Sequence, residues 1–177
     1  MSSINERIVT EEIMEAFRDV PRPKRYLPED FDPHPGDELD YLDGKTWLDI
    51  AGDVTYMTRF NYGQAYSLEP DCLLYLLPGY MLGVIKHSPE AVSDVTMILC
   101  NFLCQYTGTV EGSLDYNRYA YICDRLTNEQ KRVLARWLHL ILERYKQRTP
   151  DLYAKGAGLP MDFTGLQGTF NHWKHWL

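Results

Sequence analysis

Between Leu126 and Arg148 the chain reads LTNEQKRVLARWLHLILERYKQR, with Leu134, Trp137, Leu138, Ile141, Leu142 and Tyr145 recurring every three or four positions. That spacing follows the turn of an α-helix and not the two-residue period of a strand, so the six side chains form one continuous stripe. Lys131, Arg132, Arg136, Arg144 and Lys146 fall on the other face. Thr127 and Gln130 have the spacing of a capping box, in which each side chain satisfies the other residue's backbone N–H. Pro150 is expected to follow the helix end. A stripe of this length must be buried against other elements, which makes it the constraint around which the rest of the chain is read.

Other segments repeat the pattern. Ser3 and Glu6 have capping-box spacing, and Ile4, Ile8, Ile13, Phe17 and Val20 mark one face of a helix reaching about Asp19, before Pro21 and Pro23 stop it. Pro70 and Asp71 suit a first helical turn: proline has no N–H to leave unpaired there, and the acid meets the positive end of the dipole. The helix so begun runs through Leu77. Pro78 is then expected to break or kink it, a second short helix continuing through Ile85, with Gly79 allowing a neighbour close to the bend. Ser88 and Pro89 open the next helix, which carries Val92, Val95, Ile98, Leu99, Phe102 and Tyr106. A short helix is expected over Tyr116 to Arg125.

Residues 47–68 are rich in aromatic and β-branched side chains and permit a short strand or hairpin. Pro28 to Asp43 holds many acids, three prolines and no Lys or Arg, and reads as a loop followed by a short helical turn near Asp37 to Leu42 that Gly44 stops. From residue 150 the chain begins as a Gly-rich loop and finishes with Phe170, Trp173 and Trp176, which should dock on the body. The expected fold is therefore mainly α: residues 1–177 as one helical domain of about six helices.

The formal net charge of −7 argues against nucleic acid, whose phosphates demand clustered Lys and Arg, and suits a basic protein partner. The N-terminus lacks a basic start and an unbroken apolar run, so no export signal is read. The longest apolar stretch, Cys72 to Ile85, is shorter than the roughly 20 residues a membrane helix needs. A cytoplasmic protein is expected, and Cys72, Cys100, Cys104 and Cys123, without disulfide or zinc spacing, are read as reduced packing residues.

Candidate chemistry is thin. Asp30 and Asp32 start like a calcium loop, but Pro35 stands where glycine belongs and Tyr41 where a bidentate Glu belongs. His172 and His175 sit three apart with no acid or Cys at a matching spacing, so no metal and no cofactor are expected. His139 borders the Leu138 stripe and reads as a boundary residue, and Ser67 as a cap. No catalytic fingerprint appears, and no catalytic residue is assigned. Tyr56, Tyr62, Tyr66, Tyr116, Tyr119 and Tyr121 are read mainly as packing, with any in loops available as interface anchors.

Three signals occur in fixed order: I-x-x-A-F at Ile13 to Phe17, L-x-P followed by Y-L-L-P-x-Y-M within Leu68 to Met81, and L-T-x-E-Q at Leu126 to Gln130. Over roughly residues 10–147 this resembles a bacterial family of small, mostly helical proteins that accompany polymorphic toxins and are regarded as immunity proteins. Glu69 and Gly79 depart from that pattern, where Ser or Thr and Ala are expected. The resemblance implies a non-enzymatic protein that binds and occludes a cognate toxin. The acidic loop, Asp30, Asp32, Asp37, Glu38, Asp40 and Asp43, is the expected rim for a basic partner. The competing readings are a small metal-dependent or hydrolytic enzyme using the histidine tail, and an intracellular adaptor.

Overall fold

The structure, a computed structural model, describes residues 5–27, 41, 42, 44–60, 65, 67–89, 91–103, 114–154 and 161–177; the side chains of 114–119, 148–154 and 161–164 are not described. Its elements are α1 (Glu6–Ala16), α2 (Trp47–Gly52), α3 (Val54–Arg59), α4 (Pro70–Lys86), α5 (Ser93–Leu103), α6 (Leu114–Arg125), α7 (Asn128–Ala154), α8 (Met161–Trp173) and a 3-10 turn (Lys174–Trp176). The fold is mainly helical, as the periodicity requires, and no strand occurs among the described residues. The chain packs as two compact units: Arg18–Ile98 is one, and Met1–Phe17 with Leu99–Leu177 is the other.

In the unit formed by Arg18–Ile98, α2 and α3 pack on α4. Apart from Leu74, every residue of α4 from Cys72 to Val84 is buried. Pro70 stands at the helix start as expected, but Pro78 does not break the helix, which continues through it to Lys86. Proline removes one backbone bond, at a cost of about 3 kcal/mol. Burial of Leu76, Leu77, Tyr80 and Met81 offsets that cost, each large apolar side chain contributing about 2 kcal/mol. Gly79 and Gly83 provide the close approach. A Cβ on Gly79 would overlap the carbonyl oxygen of Trp47 and stand 2.7 Å from Ile50 Cγ1; one on Gly83 would meet the end of the Met57 side chain, 2.9 Å from its Sδ.

The strand or hairpin expected between residues 47 and 68 is replaced, in its described part, by α2 and α3. Two caps explain the helices. Thr46 and Asp49 form a complete capping box at α2, and Asp53, whose backbone is extended, ends α2 and caps α3 by accepting from the Tyr56 N–H at 3.0 Å. With Trp47, Ile50, Ala51, Tyr56 and Met57 buried, packing on α4 overrides the β preference of the side chains. Gly44, at φ +73°, takes the left-handed conformation anticipated for a residue ending the turn at Leu42.

In the other unit, α1 and α8 pack on α7. The buried face of α1 is Val9, Ile13 and Phe17, while Ile8, expected inside, is 41% exposed. The helix is capped by Asn5, whose side-chain oxygen accepts from Arg7 N at 2.9 Å, and it ends at Ala16. All six residues of the α7 stripe are buried. The capping box is present in both directions: Thr127 N donates to Gln130 Oε1 at 3.0 Å, and Gln130 N to Thr127 Oγ1 at 3.2 Å. Pro150 does not end α7, which runs to Ala154. One missing bond is absorbed by a helix whose earlier turns are already formed. The C-terminal segment is helical as α8. Trp173 docks by donating from Nε1 to the Leu103 carbonyl at 2.5 Å, and the Thr169 hydroxyl lies 2.9 Å from Gly165 O and 3.3 Å from Cys100 O.

Among the described residues no helix is long and apolar enough to cross a membrane.

Candidate functional site

Among the described residues, a group of polar and aromatic side chains gathers in the Arg18–Ile98 unit, around the start of α3. Tyr41 stacks on Tyr56, ring centroids 4.9 Å apart and planes 16° apart. Tyr56 and Tyr80 join their hydroxyls at 2.8 Å, and Phe60 closes the group at 4.5 Å from the Tyr80 ring. Tyr80 is fully buried. The Tyr41 hydroxyl donates to Asp53 Oδ2, while the other oxygen of Asp53 caps α3.

Lys45 ties this cluster to a second tyrosine. Its ammonium lies 4.9 Å from the centre of the Tyr41 ring, and its carbonyl accepts from the Tyr26 hydroxyl at 2.7 Å. Arg22 Nε donates to the same hydroxyl at 3.1 Å, and the Tyr26 carbonyl accepts from Glu69 N at 3.0 Å. Tyr26 and Tyr41 stand on either side of residues 28–40 in the sequence, and both meet Lys45.

Electrostatics fix the protonation of the group. Burial, followed by the hydrogen bond to Asp53, pushes the Tyr41 phenol up to about 12. The Tyr41 hydroxyl, then the Tyr56 N–H, hold the Asp53 carboxyl below its usual range. Burial raises the Tyr80 and Tyr26 phenols as well. At neutral pH the phenols keep their protons and Asp53 its charge. The cluster is thus set to pack and hydrogen-bond, whereas a general acid or base works best with a pKa near the operating pH.

The six acids assigned to the partner rim, Asp30, Asp32, Asp37, Glu38, Asp40 and Asp43, lie outside the described residues. So do Cys104 and the side chains of Tyr62, Tyr66, Tyr116 and Tyr119. Cys72 and Cys100 are buried, and burial raises the Cys72 thiol, as befits a packing residue. His139 sits at the boundary, its ring stacked on Phe170 at 5.0 Å with Glu143 4.0 Å from Nε2. His172 and His175 come together at the end of α8, ring centroids 6.5 Å apart. Among the described residues no three His, Cys, Asp or Glu side chains gather as metal ligands.

Sequence reasoning missed Tyr26, Tyr41, Lys45 and Asp53. The signals were Thr46 with Asp49, a capping-box spacing, and Asp53 immediately before Val-Thr-Tyr. Reading residues 47–68 as a hairpin hid both.

Two of the three sequence signals used for the family resemblance meet directly. Gln130 Nε2, from L-T-x-E-Q, donates to the carbonyl of Ala16, from I-x-x-A-F, at 3.0 Å. The third signal contributes the buried residues of α4, including Tyr80. Comparison of the chain with protein-family models, with curated proteins and with solved structures finds no match.

Proposed function

We propose that this protein is an immunity protein: it binds a cognate bacterial toxin domain stoichiometrically and blocks its active site, without itself making or breaking bonds. The observation that carries this reading is the ordered resemblance at Ile13–Phe17, Leu68–Met81 and Leu126–Gln130. What supports it is the role of those residues. Ala16 and Gln130 form a joint between α1 and α7, and the residues of α4 are core, so the signals describe a scaffold whose outer surface is left to specify a partner.

The charge of the chain favours a basic partner. The formal net charge is −7, and Asp30, Asp32, Asp37, Glu38, Asp40 and Asp43 fall within fourteen positions that contain no Lys or Arg. Such a rim accelerates encounter with a cationic surface, and desolvated anchors supply the affinity. Tight inhibition requires a Kd of about 1 nM or lower, roughly −12 kcal/mol.

Co-expression with the cognate toxin domain that this reading requires is the direct test. Restored growth and a stoichiometric complex on size exclusion are expected; growth arrest that persists in the presence of folded, soluble protein overturns the reading. Within the complex, replacing Asp37, Glu38 and Asp40 together by Lys should slow association by about tenfold or more at low salt and flatten its dependence on ionic strength. Unchanged kinetics would remove these acids from the interface.

A further inference from the structure

Gly168 stands inside α8 and is exposed, and a Cβ added there would meet no atom within 4 Å. Gly79 and Gly83 each admit a close neighbour, and Gly44 holds a positive φ; Gly168 does neither. Its remaining effect is to weaken the helix, by about fivefold in the helical equilibrium relative to alanine. Thr169 acts in the same direction, because its hydroxyl donates to Gly165 O four residues back, a bond that slightly destabilises helices.

A helix of 13 residues is marginal on its own, so α8 persists through its docking. Among the described residues that docking rests on the buried Leu166, Thr169 and Trp173, the bond from Trp173 to Leu103 O, and the stacking of Phe170 on His139. By contrast α7, on which α8 packs, buries Leu134, Trp137, Leu138, Ile141 and Leu142 and contains no glycine. We propose that α8 is a strap that opens and recloses on its own while α7 stays folded, baring the faces of α5 and α7 on which it lies. Elements with few buried apolar contacts open at the low end of a protein's range of opening free energies. The proposal is independent of toxin binding.

Amide hydrogen exchange of the full chain, read residue by residue by NMR over a series of low urea concentrations, tests the strap. Amides of residues 166–173 are expected to exchange about tenfold or more faster than those of residues 134–142, with a shallower dependence on urea, because opening one helix exposes less surface than unfolding its whole unit. In Gly168→Ala the same α8 amides should slow by about fivefold, since the methyl group enters open space and only helix propensity changes. One protection level and one urea slope shared by α8 and α7 would mean that the two unfold together, and would overturn the proposal. So would α8 exchange that Gly168→Ala leaves unaltered.

Discussion

The α2–α4 contact and the α1–α7 contact join helices by different means. Where α2 meets α4, a glycine lets backbone approach backbone: Gly79 faces the Trp47 carbonyl with no space for a methyl group. Where α1 meets α7, Val9, Ile13 and Phe17 fill the seam and polar groups fasten its edge. Arg136 pairs with Glu12 at 2.5 Å, Arg144 with Glu6 at 3.5 Å, and Gln130 bonds Ala16 O. Ion pairs this exposed contribute about 0.5 kcal/mol each. The first contact is limited by shape and the second by hydrogen bonding and apolar fit, so they should fail under different substitutions.

The sharpest way to break the comparison is Gly79→Ala. The added methyl gains about 1 kcal/mol of helix propensity but collides with backbone, and overpacking costs about 3 kcal/mol or more, so a net loss is expected on urea unfolding. Gly83→Ala is the control: its obstacle is the flexible end of Met57, which can move, and the net change should stay within about 1 kcal/mol. Equal losses at the two positions would show that the Trp47 carbonyl is not the obstacle. Next in size is Gln130→Ala, which leaves Ala16 O and Thr127 N without their partner and should cost about 2 kcal/mol, with little change when salt is added. A cost that disappears at high salt would mean that the ion pairs dominate the seam.

The smallest effect is a pH dependence confined to the Arg18–Ile98 unit. The folded-state pKa of Tyr41 is raised, so its contribution is complete below the unfolded value near 10 and is lost as pH rises towards about 12. Between pH 9 and 11.5 the unaltered chain should therefore lose more stability than Tyr41→Phe. The raised phenols of Tyr80 and Tyr26 remain in both and cancel from the difference. Identical losses would show that Asp53 and burial do not hold the Tyr41 proton.

The same contrast explains what could be read in advance. The α7 stripe and its capping box were legible because an exposed helix face alternates with a buried one; of α1 the helix itself, Ile13 and Phe17 were legible, but its cap is Asn5, it ends at Ala16, and Val9 instead of Ile8 is buried. The α2–α3 region was not, because Trp47, Val54, Thr55 and Tyr56 favour strand locally and only packing on α4 reverses that preference. Pro78 was read as a break or kink and Pro150 as lying past a helix end because local rules count the missing N–H and leave out the burial or the completed turns that sustain the helix. The tyrosine cluster was hidden for a related reason: Tyr26, Tyr41 and Tyr80 are distant in sequence and carry no shared spacing. The acids between Asp30 and Asp43 were legible only as charge.

The bond from Gln130 to Ala16 joins positions 114 residues apart, whereas Arg18–Ile98 is an unbroken stretch of chain. During synthesis α1 emerges before α7 and cannot meet it until the residues between them have left the ribosome. The intervening stretch can close before then, since its loops are shorter and lose less entropy on closing. Nascent α1 consequently waits with Val9, Ile13 and Phe17 uncovered, an interval in which a chaperone has a reason to hold it.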